Sequence, residues 1–371
     1  RVCKLCCVTN RDMNCLCRST TRSCWKKNQR YVIERFSSSS TTATITNNDM
    51  IKIVEVGPRD GLQNESQIVS TKDKVTLISK LVDAGCSHIE VGSFVSKKWV
   101  PTMADSYDVV TQLQPLKEQQ QKSILEWSCL VPNVKGLEQV LQLNTENNNA
   151  SSSTAIDEIA IFLAASEEFS QKNLNCTIDE SLERYNQVIQ MVQEHNDNNN
   201  NNDHHKLKVR GYLSCVLGCP YAGTIPPKQV AHVLERMGNT LGINACYEYS
   251  LGDTIGVGTP TSTLAMLQDV QQVIGGPDKL AVHFHDTYGQ ALVNIHVALE
   301  EGIRVIDSSI GGLGGCPYAK GASGNVATED VVYMLDGMGL KTELDLNMLL
   351  DANEFICHTV LGREPQSKVA K

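Results

Sequence analysis

From residue 51 onward, short apolar runs rich in β-branched residues alternate with longer stretches whose apolar positions recur every three or four residues. The first pattern is that of a buried strand, the second that of a helix laid down on one face. Residues 51–56 read as a strand that stops at Gly57-Pro58. Residues 74–84, with Val75, Ile78, Leu81 and Val82 on one side, read as the helix after it. The alternation continues with strands at 88–91, 124–130, 156–163, 206–214, 247–251, 280–284 and 305–310. Between them lie helices at 106–113, 134–143, 178–194, 227–241, 262–274 and 290–300.

A series of eight strands separated by helices predicts an α/β fold: a closed parallel (β/α)8 TIM barrel rather than an open doubly wound sheet. Helical stretches at 328–338 and 346–360 are expected as additional C-terminal helices. Asn-rich stretches at 144–153 and 196–205 follow the third and fourth helices. They are expected to be disordered insertions in helix-to-strand loops, on the face of the barrel away from catalysis. The His204-His205 pair inside the second is read as solvated loop rather than as a metal site.

Composition and charge then divide the chain in two. Of 371 residues 41% are hydrophobic, which allows a large core, and no run approaches the ~20 apolar residues of a membrane span. The net charge is −9, but residues 1–47 carry +7 and the remainder −16. Arg11, Arg18, Arg22, Lys26, Lys27, Arg30 and Arg35 lie among Ser and Thr, with only Asp12 and Glu34 acidic. That is the composition of an organellar presequence, so residues 1–47 are expected to be a disordered mitochondrial transit peptide and 48–371 a single catalytic domain of the matrix. The acidic body excludes non-specific nucleic-acid binding. Six of the 14 cysteines fall within residues 1–24 without the spacing of a zinc site, and Cys215 and Cys219 have no second pair.

In a barrel, function gathers at the carboxyl ends of the strands. Arg59 and Asp60 follow the first strand, Glu90 ends the second and Asp253 follows the sixth. Each of these could be a charged turn or a surface carboxylate. His283 and His285 close the seventh strand two residues apart, so both face one way, with Phe284 turned to the helices. The loop after the eighth strand, 311–325, holds six glycines, Cys316 and Asn325. It lacks the Gly-Lys-Ser/Thr ending of a P-loop, so phosphate binding and closure over a reaction both stay open. Asp60, His283, His285 and the Asn325 amide oxygen make a mixed oxygen and nitrogen set, suited to Mg2+ or Mn2+.

The stretches VGPRDGLQNE (56–65), SLGDTIGVGTP (250–260), HDTYGQAL (285–292) and GGLGGCPYAKGASGNVATEDVVYML (311–335) resemble those of 3-hydroxy-3-methylglutaryl-CoA lyases. The resemblance runs from about residue 50 to 370 apart from the Asn-rich inserts. The Cys316 loop is its most specific part. The resemblance implies that Asp60, His283, His285 and Asn325 are metal ligands, Arg59 a catalytic and substrate-binding cation, and Cys316 a catalytic thiol. Glu90 and Asp253 would be further active-site acids. Val91-Gly92 departs from the Thr-Thr expected of animal lyases. The implied reaction is a metal-assisted retro-Claisen cleavage of the acyl-CoA to acetyl-CoA and acetoacetate, with proton transfers drawn from His283, Asp60, Asp253 and Cys316. The expected assembly is a homodimer with no nucleic-acid or membrane partner. Two rivals remain at this point: a Claisen-condensing acyl-CoA/keto-acid synthase on the same barrel, and a catalytically silent barrel scaffold.

Overall fold

The computed structural model describes residues 49–119, 125–148, 154–199, 206–242, 244–315 and 324–371. Residues 1–47, His204-His205 and Cys316 therefore lie outside the described residues. Among the described residues eight parallel strands follow one another round a closed barrel. They are β1 Lys52–Glu55, β2 His88–Ser93, β3 Glu126–Leu130, β4 Glu158–Ala164, β5 Lys208–Ser214, β6 Glu248–Asp253, β7 Leu280–Phe284 and β8 Val305–Ser308. The ring closes where β1 pairs with β8, from Lys52 opposite Val305 to Glu55 opposite Ser308.

The helices that follow them are α1 Thr71–Asp83, α2 Ser106–Gln119, α3 Val134–Asn148, α4 Ile178–Asn198, α5 Pro227–Leu241, α6 Pro260–Ile274, α7 Ala291–Glu300 and α8 Thr328–Gly337. Their starts carry the chemistry that helix starts require. Ser70 caps α1, and reciprocal capping boxes open α4 (Thr177 with Glu180) and α6 (Thr259 with Ser262). Thr328–Gly337, expected as a C-terminal addition, is instead the eighth helix of the repeat. Its first residue Thr328 hydrogen-bonds Ser308 of β8 and Glu55 of β1. The addition is α9 Leu346–Asn353, which packs on α1 and runs on as a π-helical turn, Glu354–Val360.

Outward-facing strand residues such as Ile89, Trp127, Ile161, Leu213, Leu251, Val282 and Phe284 join Leu77, Leu137, Val188, Leu234 and Ile295 of the helices in one buried apolar layer. The barrel interior is different. Branched apolar side chains usually fill it, yet here Glu90, Glu158, Arg210, Glu248 and Asp307 are buried there. Arg210 of β5 meets Asp307 of β8, and Tyr212 of β5 meets Glu90 of β2. Neither pair comes from neighbouring strands, so both contacts cross the interior.

The Asn-rich stretches are corrected in part. Helix α3 continues to Asn148 and α4 to Asn198, so both stretches begin as helix rather than as disordered loop. Asn144 is buried; its amide donates to Ile156 O at 2.9 Å and accepts from Ile156 N at 2.8 Å. Asn196 treats Leu207 in the same way, at 3.0 and 2.8 Å. These pairings also explain why β4 and β5 start at Glu158 and Lys208, two residues later than the apolar runs suggest: the backbones of Ile156 and Leu207 are engaged by side chains. Residues 149–153 and 200–205 lie outside the described residues.

Candidate active site

The site starts with the turn after β1. The amides of Arg59, Asp60 and Gly61 all donate to Val56 O, at 3.2, 2.7 and 3.1 Å. This winds Gly57–Gly61 into a single π-helical turn. The winding needs glycine at its end, because a Cβ on Gly61 would sit 2.8 Å from both Ser309 Oγ and Leu313 Cβ. It delivers Arg59 and Asp60, adjacent in sequence, to the barrel mouth.

Arg59 is 5% exposed and lies between two carboxylates. Its Nη1 stands 2.6 Å from Asp60 Oδ1 and its Nη2 2.6 Å from Glu90 Oε2. Burial alone would lower the Arg59 pKa, but Glu90 and Asp60 outweigh it and leave the group firmly charged. Glu90 moves the other way: burial raises its pKa, and Arg59 only partly offsets this. Both surface-carboxylate alternatives fail, because Glu90 is 0% and Asp253 1% exposed.

Asp60, His283 and His285 each offer a ligand atom, all within 4.8 Å of one another. As the strand alternation requires, Phe284 is buried on the helix side. Asp60 is held at about 2: burial would raise it, but Arg59, His283, His285 and Asn325 prevail. His285 is pushed down to about 4 by burial and by His283, so it is neutral near pH 7, the form that ligates metals. His283 is raised: burial works against the charge, but Asp307 and Asp60 overcome it. Asn325 completes the group, donating to Asp60 Oδ2 at 2.9 Å and to Leu313 O at 3.0 Å. The same side chain also hydrogen-bonds His285.

The donor set fits a divalent ion. Among the described residues Arg59 Nε, Glu90 Oε1 and His285 Nδ1 are buried without a hydrogen-bond partner. Gathered at the barrel mouth, these three atoms are available to a polar ligand. Asp60 adds a carboxylate, and the two imidazoles adjoin at 5.5 Å between ring centroids.

Among the described residues no hydrogen bond joins Asp253 to this group. Its carboxylate accepts from Val257 N at 3.2 Å and Gly258 N at 2.7 Å, holding the loop after β6. Burial lifts it to about 6 against those amides. Gly92, part of the departure noted above, lies where β2 bulges between Glu90 and Gly92. A Cβ there would come within 2.7 Å of Ser106 Oγ, the atom that accepts from Ser93 N.

Sequence reasoning missed Arg210, Tyr212 and Asp307. Asp307 Oδ2 stands 3.3 Å from His283 Nδ1, and Arg210 grips Asp307 with both terminal nitrogens, at 2.7 and 3.0 Å. The available signal was a charge at an inward position of two strands, Arg210 within KVRGYLS and Asp307 within VIDS.

Comparison with known proteins agrees with this geometry. The HMGL-like family model matches residues 50–356. A cytoplasmic 3-hydroxy-3-methylglutaryl-CoA lyase of Rattus norvegicus is 50% identical over 87% of this chain and 84% of its own length. The mitochondrial hydroxymethylglutaryl-CoA lyase of Homo sapiens is 48% identical over 90% of this chain and 92% of its own. Among solved structures, the hydroxymethylglutaryl-CoA lyase of Pseudomonas aeruginosa superposes with a TM-score of 0.76 at 46% identity, covering 88% of this chain and 98% of that one. An HMG-CoA lyase of Acinetobacter baumannii, solved with coenzyme A and 3-methylmalate, gives 0.74 at 33% identity, covering 88% and 96%. The barrel, the site at its mouth and these matches lead to one conclusion: the chain belongs to the HMGL-like family.

Proposed function

We propose that this chain cleaves 3-hydroxy-3-methylglutaryl-CoA to acetyl-CoA and acetoacetate. Family membership supports this, and one observation carries it: a buried, permanently charged Arg59 stands beside a metal-competent group of Asp60, His283 and His285. A silent scaffold would have no use for orphaned polar atoms on both sides of that pairing. The condensing-synthase alternative is set aside by the identity to named lyases over most of the chain.

The reaction removes the proton of the tertiary hydroxyl at carbon 3, breaks the bond between carbons 2 and 3, and turns carbon 3 into the ketone of acetoacetate. The bonding electrons pass to the thioester fragment as an enolate, which takes a proton at carbon 2 and leaves as acetyl-CoA. Asp60, His283, His285 and Asn325 would hold Mg2+ or Mn2+, which when bound supplies Lewis-acid polarisation of substrate oxygen. Arg59 places a fixed guanidinium where negative charge develops on the thioester oxygen. Glu90 and Asp60 orient that guanidinium, leaving Nε free of protein partners. Asp60 receives the hydroxyl proton, since His283 would give one ring nitrogen to the ion and turns the other to Asp307. Cys316, which lies outside the described residues, delivers the proton on the enolate side. Asp253 keeps the adjoining loop in shape.

The substrate class is an acyl-CoA, supported by the coenzyme A held by the A. baumannii neighbour. Among the described residues no helix is long and apolar enough to cross a membrane. Residues 1–47 direct the protein to the mitochondrial matrix in this reading, supported by their +7 balance against an acidic body. A reporter carrying residues 1–47 tests it, and a cytosolic reporter would count against it. The assembly is taken to be a homodimer, which light scattering on the purified protein checks. The reaction itself is tested by incubating purified protein with 3-hydroxy-3-methylglutaryl-CoA and identifying the products, expected in equal amounts.

A further inference from the structure

Arg210 is 1% exposed and spends its guanidinium on several acceptors inside the barrel. Nε donates to Glu248 at 2.7 Å. Nη2 donates to Asp307 Oδ1 at 2.7 Å, and Nη1 reaches both Asp307 Oδ2 and the Tyr212 hydroxyl at 3.0 Å. Two arms leave this centre. Through Asp307 the first reaches His283 Nδ1, 3.3 Å away. Through Tyr212 the second reaches Glu90: the hydroxyl donates to Oε2 at 3.3 Å, the same oxygen that Arg59 Nη2 meets at 2.6 Å. The Tyr212 ring touches both arms as well. The guanidinium carbons of Arg210 and Arg59 lie over it at 5.2 and 5.6 Å, and the His283 ring meets it edge-on at 6.0 Å.

We propose that Arg210, Asp307 and Tyr212 form one positioning strut that sets His283 and Arg59 together, so that the ion-holding and enolate-holding sides of the site are aligned from a shared cation. The inference rests on the function proposed above and adds residues that stand behind those assigned to it. The chemistry is specific. His283 can offer one ring nitrogen as a ligand only while the other carries the proton. Asp307, ion-paired with Arg210, accepts that proton's hydrogen bond at Nδ1 and leaves Nε2 for the side of Asp60, whose Oδ2 lies 3.7 Å away. The planar fork of Arg210 can serve Asp307 and Tyr212 at once, which a lysine's compact ammonium matches poorly. Stability alone does not account for the arrangement, since buried ion pairs are often no better than apolar packing of the same volume.

The test uses the full chain, with Mn2+ binding followed by electron paramagnetic resonance and turnover by steady-state kinetics. Asp307→Asn keeps the size and an acceptor oxygen but loses the charge. The strut requires its Mn2+ dissociation constant to rise ~10- to 100-fold. Tyr212→Phe keeps the ring and removes the hydroxyl that accepts from Arg210 and donates to Glu90, leaving the Arg210–Asp307–His283 arm in place. Its Mn2+ affinity should stay near that of the wild type, while kcat falls by about 10-fold or more at little-changed KM, because Arg59 is no longer held in line. Wild-type Mn2+ affinity in Asp307→Asn, or wild-type kcat in Tyr212→Phe, overturns the strut. Should Asp307→Asn fail to fold, Tyr212→Phe decides alone, since loss of one hydroxyl leaves the packing in place. A wild-type protein that binds no Mn2+ and releases no acetoacetate overturns the proposed function instead, whatever the variants do.

Discussion

Arg59 and Glu90 form a buried ion pair of 2.6 Å that joins the turn after β1 to the interior face of β2. Breaking such a pair on one side typically costs ~3–5 kcal/mol, because the surviving charge stays buried and unpaired. The pair nevertheless leaves Arg59 Nε and Glu90 Oε1 without partners. Its geometry suits holding a cation at a chosen place better than neutralising it.

Arg59 is therefore expected to act on the transition state. Arg59→Lys and Arg59→Gln should bind substrate and Mn2+ nearly normally and turn over at least ~100-fold more slowly, the usual cost of losing an oxyanion donor. Steady-state kinetics separate the possibilities. A raised KM at unchanged kcat would make Arg59 a clamp for a carboxylate or a CoA phosphate, contrary to the enolate role.

Asn144 should matter for stability and not for chemistry. It satisfies both backbone groups of Ile156 on the face of the barrel opposite the site. Asn144→Ala leaves both unpaired and should cost roughly 2 kcal/mol or more, as read from urea unfolding. The kcat should remain that of the wild type. An unchanged unfolding midpoint would mean that the pairing is dispensable.

The pH dependence of stability has a definite sign. Burial raises Glu55, Glu158 and Glu329 from 4.5 to about 7. Between those values the folded protein keeps protons that the unfolded chain has released, so stability is greatest below the unfolded pKa and is lost as pH rises towards and through 7. Asp60, held at about 2, acts in the opposite sense but only in strong acid. In Glu55→Gln the Thr328, Gly57 and Ile310 contacts can persist without a titrating group. Its loss of stability between pH 5 and pH 8 should be smaller than that of the wild type in parallel unfolding curves. An equal or larger loss would contradict the assignment.

What could be read from the sequence follows from the range of the interactions. Strands announced themselves because β-branched runs are local, and His283 with His285, or Arg59 with Asp60, because neighbours along the chain share one strand end or one turn. The eighth helix was misjudged because the connection through the 311–325 loop is the longest of the strand-helix connections, making Thr328–Gly337 look like an appendage. Asn144 and Asn196 were hidden inside low-complexity runs. Their role depends on Ile156 and Leu207 lying beside them, which only the folded barrel arranges. Arg210, Asp307 and Tyr212 sit on strands 97 residues apart at most, and their contacts exist only across the closed interior. No local pattern reports which inward-facing charges will meet.

The central claim is that Asp60, His283, His285 and Asn325 hold a divalent ion needed for cleavage. The most direct test is acetoacetate release from 3-hydroxy-3-methylglutaryl-CoA by wild type and His285→Ala, after exhaustive chelation and again after titration with Mg2+ or Mn2+. The account predicts no turnover in the chelated wild type, recovery on adding the ion, and a rightward shift of the titration in His285→Ala with the thermal midpoint nearly unchanged. Full turnover by the chelated, metal-free wild type would contradict it.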